Sequence, residues 1–161
     1  MEPCTQHDCF VRRSHEISSS SPTELLTEIC KAVDGLLAHD DCYLIIDAPR
    51  HHRYVQVLVK KGCLYAESAS NDSLGKTCAA EHGLSGADHA HLVRLGWLPP
   101  NDESPNWHRA ITEPWPWPAS MVAELLVRTL VEVHDIRLDE LKITVRHASR
   151  PNRQPVERDC A

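Results

Sequence analysis

The chain carries 11 histidines and 7 cysteines in 161 residues, enough nitrogen and sulfur to raise the question of a bound metal. Near the N-terminus, Cys4, His7 and Cys9 are three soft donors within one short stretch. Structural zinc takes four such ligands, usually with two to four residues between paired cysteines. Here the third ligand is in place and a fourth is not, and the surrounding segment has no hydrophobic periodicity. A thiol-containing arm is therefore the favoured reading, and a metal-binding enzyme or sensor built on these three residues is the alternative. His51 and His52 are adjacent in a turn region and do not readily chelate one ion. His89 and His91 are two apart on an expected helix, so they point in different directions, unlike the i,i+4 pair of a helical zinc site. No metal site is assigned.

Nucleophilic and cofactor chemistry find no footing either. The sequence contains no G-x-S-x-G elbow, no phosphate-binding glycine loop and no cysteine in a protease-like context. The acidic pairs Asp40-Asp41, Asp102-Glu103 and Asp139-Glu140 fall in turns or at helix starts, where carboxylates complement the helix dipole. No catalytic residue and no cofactor is assigned, and the expectation is a protein that is not an enzyme.

The whole-chain balance narrows the partners. Formal net charge is -6, and the interior is more negative still, because four arginines (Arg146, Arg150, Arg153, Arg158) sit in the last stretch of chain. Phosphate backbones need clustered Lys and Arg, so nucleic acid is not an expected partner. No apolar run approaches the ~18 residues of a membrane span, and the first residues have no apolar core of a signal peptide. Scattered cysteines without C-x-x-C then read as reduced thiols, and the cytoplasm is the expected location.

The elements that would position any site follow from periodicity. Residues 1–21 form a Ser-, Cys- and His-containing arm expected to be disordered, closed by four serines, Ser18 to Ser21. Ser21-Pro22 opens a helix with Glu24 completing a capping box, and Leu25, Leu26, Ile29, Val33, Leu36 and Leu37 give it one apolar face. Three strands come next: Cys42–Asp47, Tyr54–Lys60 and Cys63–Ser68, an antiparallel meander turned at Lys61-Gly62. In the middle strand Val55, Val57 and Val59 share the core face. Tyr54, Gln56, Leu58 and Lys60 share the other, a mixed face that suits a sheet open to solvent or to a partner. A second helix is expected over Leu84–Leu95, stopped by Gly96, and a strong third helix over Ala119–Asp135, with Glu124 and Arg128 as an i,i+4 pair. Trp107–Thr112 and Lys142–His147 are further strands, and residues 148–161 are a flexible Arg/Pro-containing tail.

Gly96–Pro118 holds all 4 tryptophans and six of the 11 prolines. Proline bars a regular helix or a central strand through much of it, while indole rings bury large areas. Two readings stand side by side. Trp97 and Trp107 either plug the interface between sheet and helices, or form a rigid aromatic rim beside the half-open sheet, where an extended peptide could lie.

The order helix, meander, short helix, L-G-W-x-P-P, P-N-W, long helix resembles the YbjN and type III secretion chaperone-like group, the TY-Chap domains. The resemblance is carried by YVQVLVKKGCLYAESASNDSL (54–74), LVRLGWLPPNDESPNW (92–107) and ELLVRTLVEVHDI (124–136), and covers residues 22–147. It implies an α+β class: an antiparallel β-sheet meander with helices packed on one face, a secretion-chaperone-like sandwich. It also implies peptide or partner-protein binding without catalysis, and homodimers among the secretion chaperones. Tyr54, Leu58, Tyr65, Trp97 and Trp107 are the expected binding surface for a protein or peptide client. A scaffold or immunity-type domain that binds one folded partner is the other non-enzymatic alternative.

Overall fold

The structure, a computed structural model, describes residues 13–16, 21–37, 42–60, 63–72, 83–111 and 118–147. The first helix, α1 (Pro22–Leu37), begins where the sequence places it. The Glu24 backbone N–H donates to the Ser21 hydroxyl at 3.2 Å, which satisfies one of the free amides of the first turn. Leu25, Ile29, Val33 and Leu36 recur at helical spacing and are all buried, so the apolar stripe faces inward as a unit.

Strand β1 (Arg13–Glu16) precedes the helix, and β2 (Cys42–Ala48), β3 (Arg53–Lys60) and β4 (Cys63–Ser68) follow it. The β2–β3 connection is a single turn of 3-10 helix over Pro49–His51, closed by His52 in the left-handed region at φ 52°. That turn sets the register Asp47↔Tyr54, Ile45↔Gln56, Tyr43↔Leu58. Helix α2 (Gly86–Arg94) carries a complete capping box between Ser85 and Asp88. It ends in a left-handed Gly96 at φ +87°. There the Trp97 N–H reaches the Leu92 carbonyl at 3.0 Å and the Gly96 N–H the Val93 carbonyl at 2.9 Å, the paired bonds of a Schellman motif. A Cβ on Gly96 would stand 2.8 Å from the Arg109 guanidinium, which itself donates to the Leu95 carbonyl at 3.0 Å. Glycine is required here by its backbone angle, and a Cβ would in addition push the Arg109 guanidinium off its place.

Strand β5 (Trp107–Ile111), helix α3 (Ala119–Arg128) and β6 (Lys142–His147) complete the described elements. All six strands join one antiparallel sheet in the order β1-β6-β2-β3-β4-β5. The buried faces of α1, α2 and α3 share one core with Leu44, Ile46, Val55, Val57, Val59 and Leu64. The fold is therefore α+β, with helices on the valine face of the sheet, and α1 and α3 packed on each other.

Two sequence expectations need correction. Arg13–Glu16 lies inside the arm expected to be unstructured, yet pairs with β6 through the register Ser14↔Thr144. Its four residues carry no apolar alternation, and backbone pairing to an available sheet edge is what orders them. The third helix does not run regularly to Asp135. After Arg128 it widens into a π-helical turn over Thr129–Val133, with the His134 N–H on the Thr129 carbonyl at 3.1 Å. The turn at Lys61-Gly62, the remainder of the N-terminal arm with Cys4, His7 and Cys9, and the tail 148–161 lie outside the described residues.

Candidate functional site

Strict alternation gives the sheet a second face, opposite the core. Cys42, Leu44, Ile46 and Ala48 of β2 are buried, so Tyr43, Ile45 and Asp47 point the other way. The same parity puts Tyr54, Gln56 and Leu58 of β3 on that face, and Cys63, Tyr65 and Glu67 of β4. Register turns these into two rows across the strands. One row runs Tyr43, Leu58, Tyr65, Ala110, aromatic and aliphatic from β2 to β5, with Arg146 of β6 next to Tyr43 in register. The other runs Ile45, Gln56, Glu67, His108, and is mostly polar. Leu98, bridged to His108, sits at the edge of the same face. Tyr65 is 45% exposed and Leu98 55%, large values for such side chains on one surface.

The polar row is organised by hydrogen bonds. Gln56 Nε2 donates to Glu67 Oε2 at 2.6 Å, and Asn106 Nδ2 donates to the same oxygen at 3.3 Å. Asn106 Nδ2 also reaches the Tyr54 phenol oxygen at 2.9 Å, which holds that ring across the sheet. Asn106 is 7% exposed, and its Oδ1 is buried without a hydrogen-bond partner among the described residues. Two strands away, burial raises the Asp47 carboxyl above the ordinary carboxylate range, with Lys142 opposing, and Asp47 Oδ1 likewise lacks a partner.

Of the five residues expected to form a binding surface, Tyr54, Leu58 and Tyr65 share this open face. Trp97 and Trp107 do not: they are 2% and 4% exposed and belong to the core. The rim expected from them is corrected to the packing reading. The Trp97 indole N–H donates to Thr129 Oγ1 at 2.9 Å, in the π turn that follows α3, and the Thr129 hydroxyl donates in turn to the Leu125 carbonyl at 2.7 Å. The Trp107 ring lies 5.4 Å from that of His89, centroid to centroid. Trp115 and Trp117 fall outside the described residues. Sequence reading missed Tyr43 and Ile45 because CYLIID reads as one apolar run, and only the core-facing parity of its neighbours divides it. It missed Asn106 although P-N-W stood out, since nothing local shows that the amide reaches a carboxylate on another strand.

A second polar cluster closes one end of the sandwich, around a cavity of about 380 Å³ lined by His51, Arg53, Asp88, Val133, His134 and Asp135 among others. Ser68 Oγ and His134 Nε2 are 2.8 Å apart, the spacing of a nucleophile and its base. Ser68 is fully buried, however, and His134 Nδ1 has no orienting partner among the described residues. Burial and the neighbouring Arg53 cation lower the His134 pKa to about 3, so the ring stays neutral. The pair is an internal tie between β4 and the end of α3. His51 bonds Glu140 at 2.9 Å and His91 bonds Glu132 at 3.1 Å, and among the described residues no three His, Cys, Asp or Glu side chains cluster to hold a metal. No described helix is long and apolar enough to cross a membrane.

Comparison with known proteins adds one family. The family described as T3SS (YopN, CesT) and YbjN peptide-binding chaperone 3, TY-Chap3, matches residues 23–141. No curated protein and no solved structure matches the chain.

Proposed function

The chain belongs to the TY-Chap3 family of type III secretion and YbjN peptide-binding chaperones, and from that membership we propose that it binds an extended segment of a client protein across the open face of its sheet, without catalysis. The observation that supports this reading is the row Tyr43, Leu58, Tyr65 and Ala110, on the face opposite the described helices, with Tyr65 nearly half exposed. An extended client presents side chains at a period of two, the same spacing as the rows beneath it. Each large apolar side chain that leaves water against such a surface contributes on the order of 1–2 kcal/mol. Tyr54, Leu58 and Tyr65 are the contact residues in this reading. Trp97 and Trp107 act from beneath, by fixing the layer on which β4 and β5 rest.

Pairing by strand addition at β5 is the weaker version of the idea. Leu98 already takes both outward backbone groups of His108, at 2.9 and 3.0 Å, so the next outward peptide is that of Ala110. The test is an array of overlapping peptides from unfolded proteins, probed with the full chain and with Leu58→Asp and Tyr65→Asp. Both substitutions sit on the open face, so the fold should persist by circular dichroism while captured signal falls at least tenfold. Undiminished capture by the folded double variant would remove the open face as the site.

A further inference from the structure

The polar row carries information about the client that the apolar row does not. Glu67 receives both of its side-chain donors, Gln56 and Asn106, on Oε2, which leaves Oε1 open to a further donor. Asn106 is more than nine-tenths buried, its amide nitrogen is committed to Tyr54 and Glu67, and its oxygen has no partner among the described residues. Asp47, on the same face, has a buried oxygen in the same condition. The buried unmet atoms on this face are acceptors, Asp47 has the Lys142 cation across from it in register while none is placed beside Glu67 among the described residues, and the chain as a whole is anionic at -6. A desolvated acceptor without a donor is costly, so what fits is a group with several N–H donors and a positive charge.

Resting on the open-face reading, we infer that Glu67 and Asn106, with Asp47 as an outlying second acceptor, form a recognition site for a lysine or arginine side chain of the bound segment. The cation would lie against Glu67 while flanking apolar residues of the client cover Leu58 and Tyr65. Charge complementarity would then set which extended segments are taken, and the apolar row how firmly they are held.

The experiment uses four capped peptides of alternating leucine and serine, alike except for one central residue: lysine, arginine, norleucine or glutamate. Each is titrated against the full chain by fluorescence anisotropy at low and at high salt. The lysine and arginine peptides should bind about 5- to 10-fold tighter than norleucine at low salt and lose most of that margin at high salt, where the screening length shrinks to a few ångströms. In Glu67→Gln the margin over norleucine should fall to within about twofold. Equal binding of all four peptides overturns the inference and leaves the open-face reading standing. A cation preference that survives both Glu67→Gln and Asp47→Asn overturns it too, by assigning the preference to overall charge. Failure of every peptide to bind removes the open-face reading and this one with it.

Discussion

Gly96 shows how much one position can be asked to do. Its positive φ ends α2, and its missing Cβ admits the Arg109 guanidinium that donates to the Leu95 carbonyl. Gly96→Ala should therefore cost more than the ~1 kcal/mol of a left-handed alanine alone, roughly 2–3 kcal/mol once Arg109 is displaced, read as a lower urea midpoint at unchanged slope. Trp97, its neighbour, separates two contributions. Trp97→Phe keeps most of the apolar volume and removes the donor to Thr129, so a loss of about 1–2 kcal/mol is expected. Trp97→Ala also leaves a cavity, and a loss of about 3–5 kcal/mol should result. If both substitutions were neutral in urea denaturation, the buried role of this indole would be wrong. A tryptophan in a Pro-rich stretch is compatible with either side of the surface, and only the Thr129 hydroxyl waiting in the turn after α3 decides for the interior.

At the scale of elements, the end of α3 is where sequence and structure part. The apolar period over residues 119–135 gives no sign of the widened turn, because a π turn keeps the inward residues inward while shifting which carbonyl each amide meets. The meander was legible, since its three apolar runs alternate or are bounded by turn residues. The end of α2 was legible as well, through Gly96, while its start was set early at Leu84, because Ser85 stands outside the helix as its N-cap. The widened turn delivers His134 to Ser68, and that contact makes a pH prediction. His134 titrates at about 3 in the fold against an ordinary value of 6.5, so between those pH values the unfolded chain holds a proton that the folded chain does not. Stability is then complete above about pH 6.5 and falls as pH drops toward 3, by up to roughly 1.4 kcal/mol per pH unit from this group. Urea midpoints of the parent chain and of His134→Gln should converge as pH is lowered from 7.5 to 4.5. Parallel curves would show that the imidazole is not held neutral.

Across the whole molecule, the sheet order was the least legible feature. β6 comes last in sequence yet lies between β1 and β2, a placement that depends on α3 returning the chain across the sheet. β1, four polar residues long, then becomes the outermost strand on that side and covers the edge of β6. Uncovered edges pair with whatever strand is offered. A chain beginning at Ser18 should thus keep its core and its cooperative unfolding but self-associate, visible as concentration-dependent sedimentation absent from the parent chain. A truncated chain that sediments as the parent does would show that β1 has no protective part.

The alternation in β3 has a consequence for how such a protein can diverge. Residues 55, 57 and 59 are sealed in the core while 54, 56 and 58 face outward, so one strand serves two selective pressures on separate sets of positions. Substitutions at the outward position 58 leave the core and the polar row as they were, whereas those at 54 and 56 give up bonds to Asn106 and Glu67. On the proposed open-face reading, a lineage built on this sheet can change clients by small steps at its outward positions while the core set stays fixed.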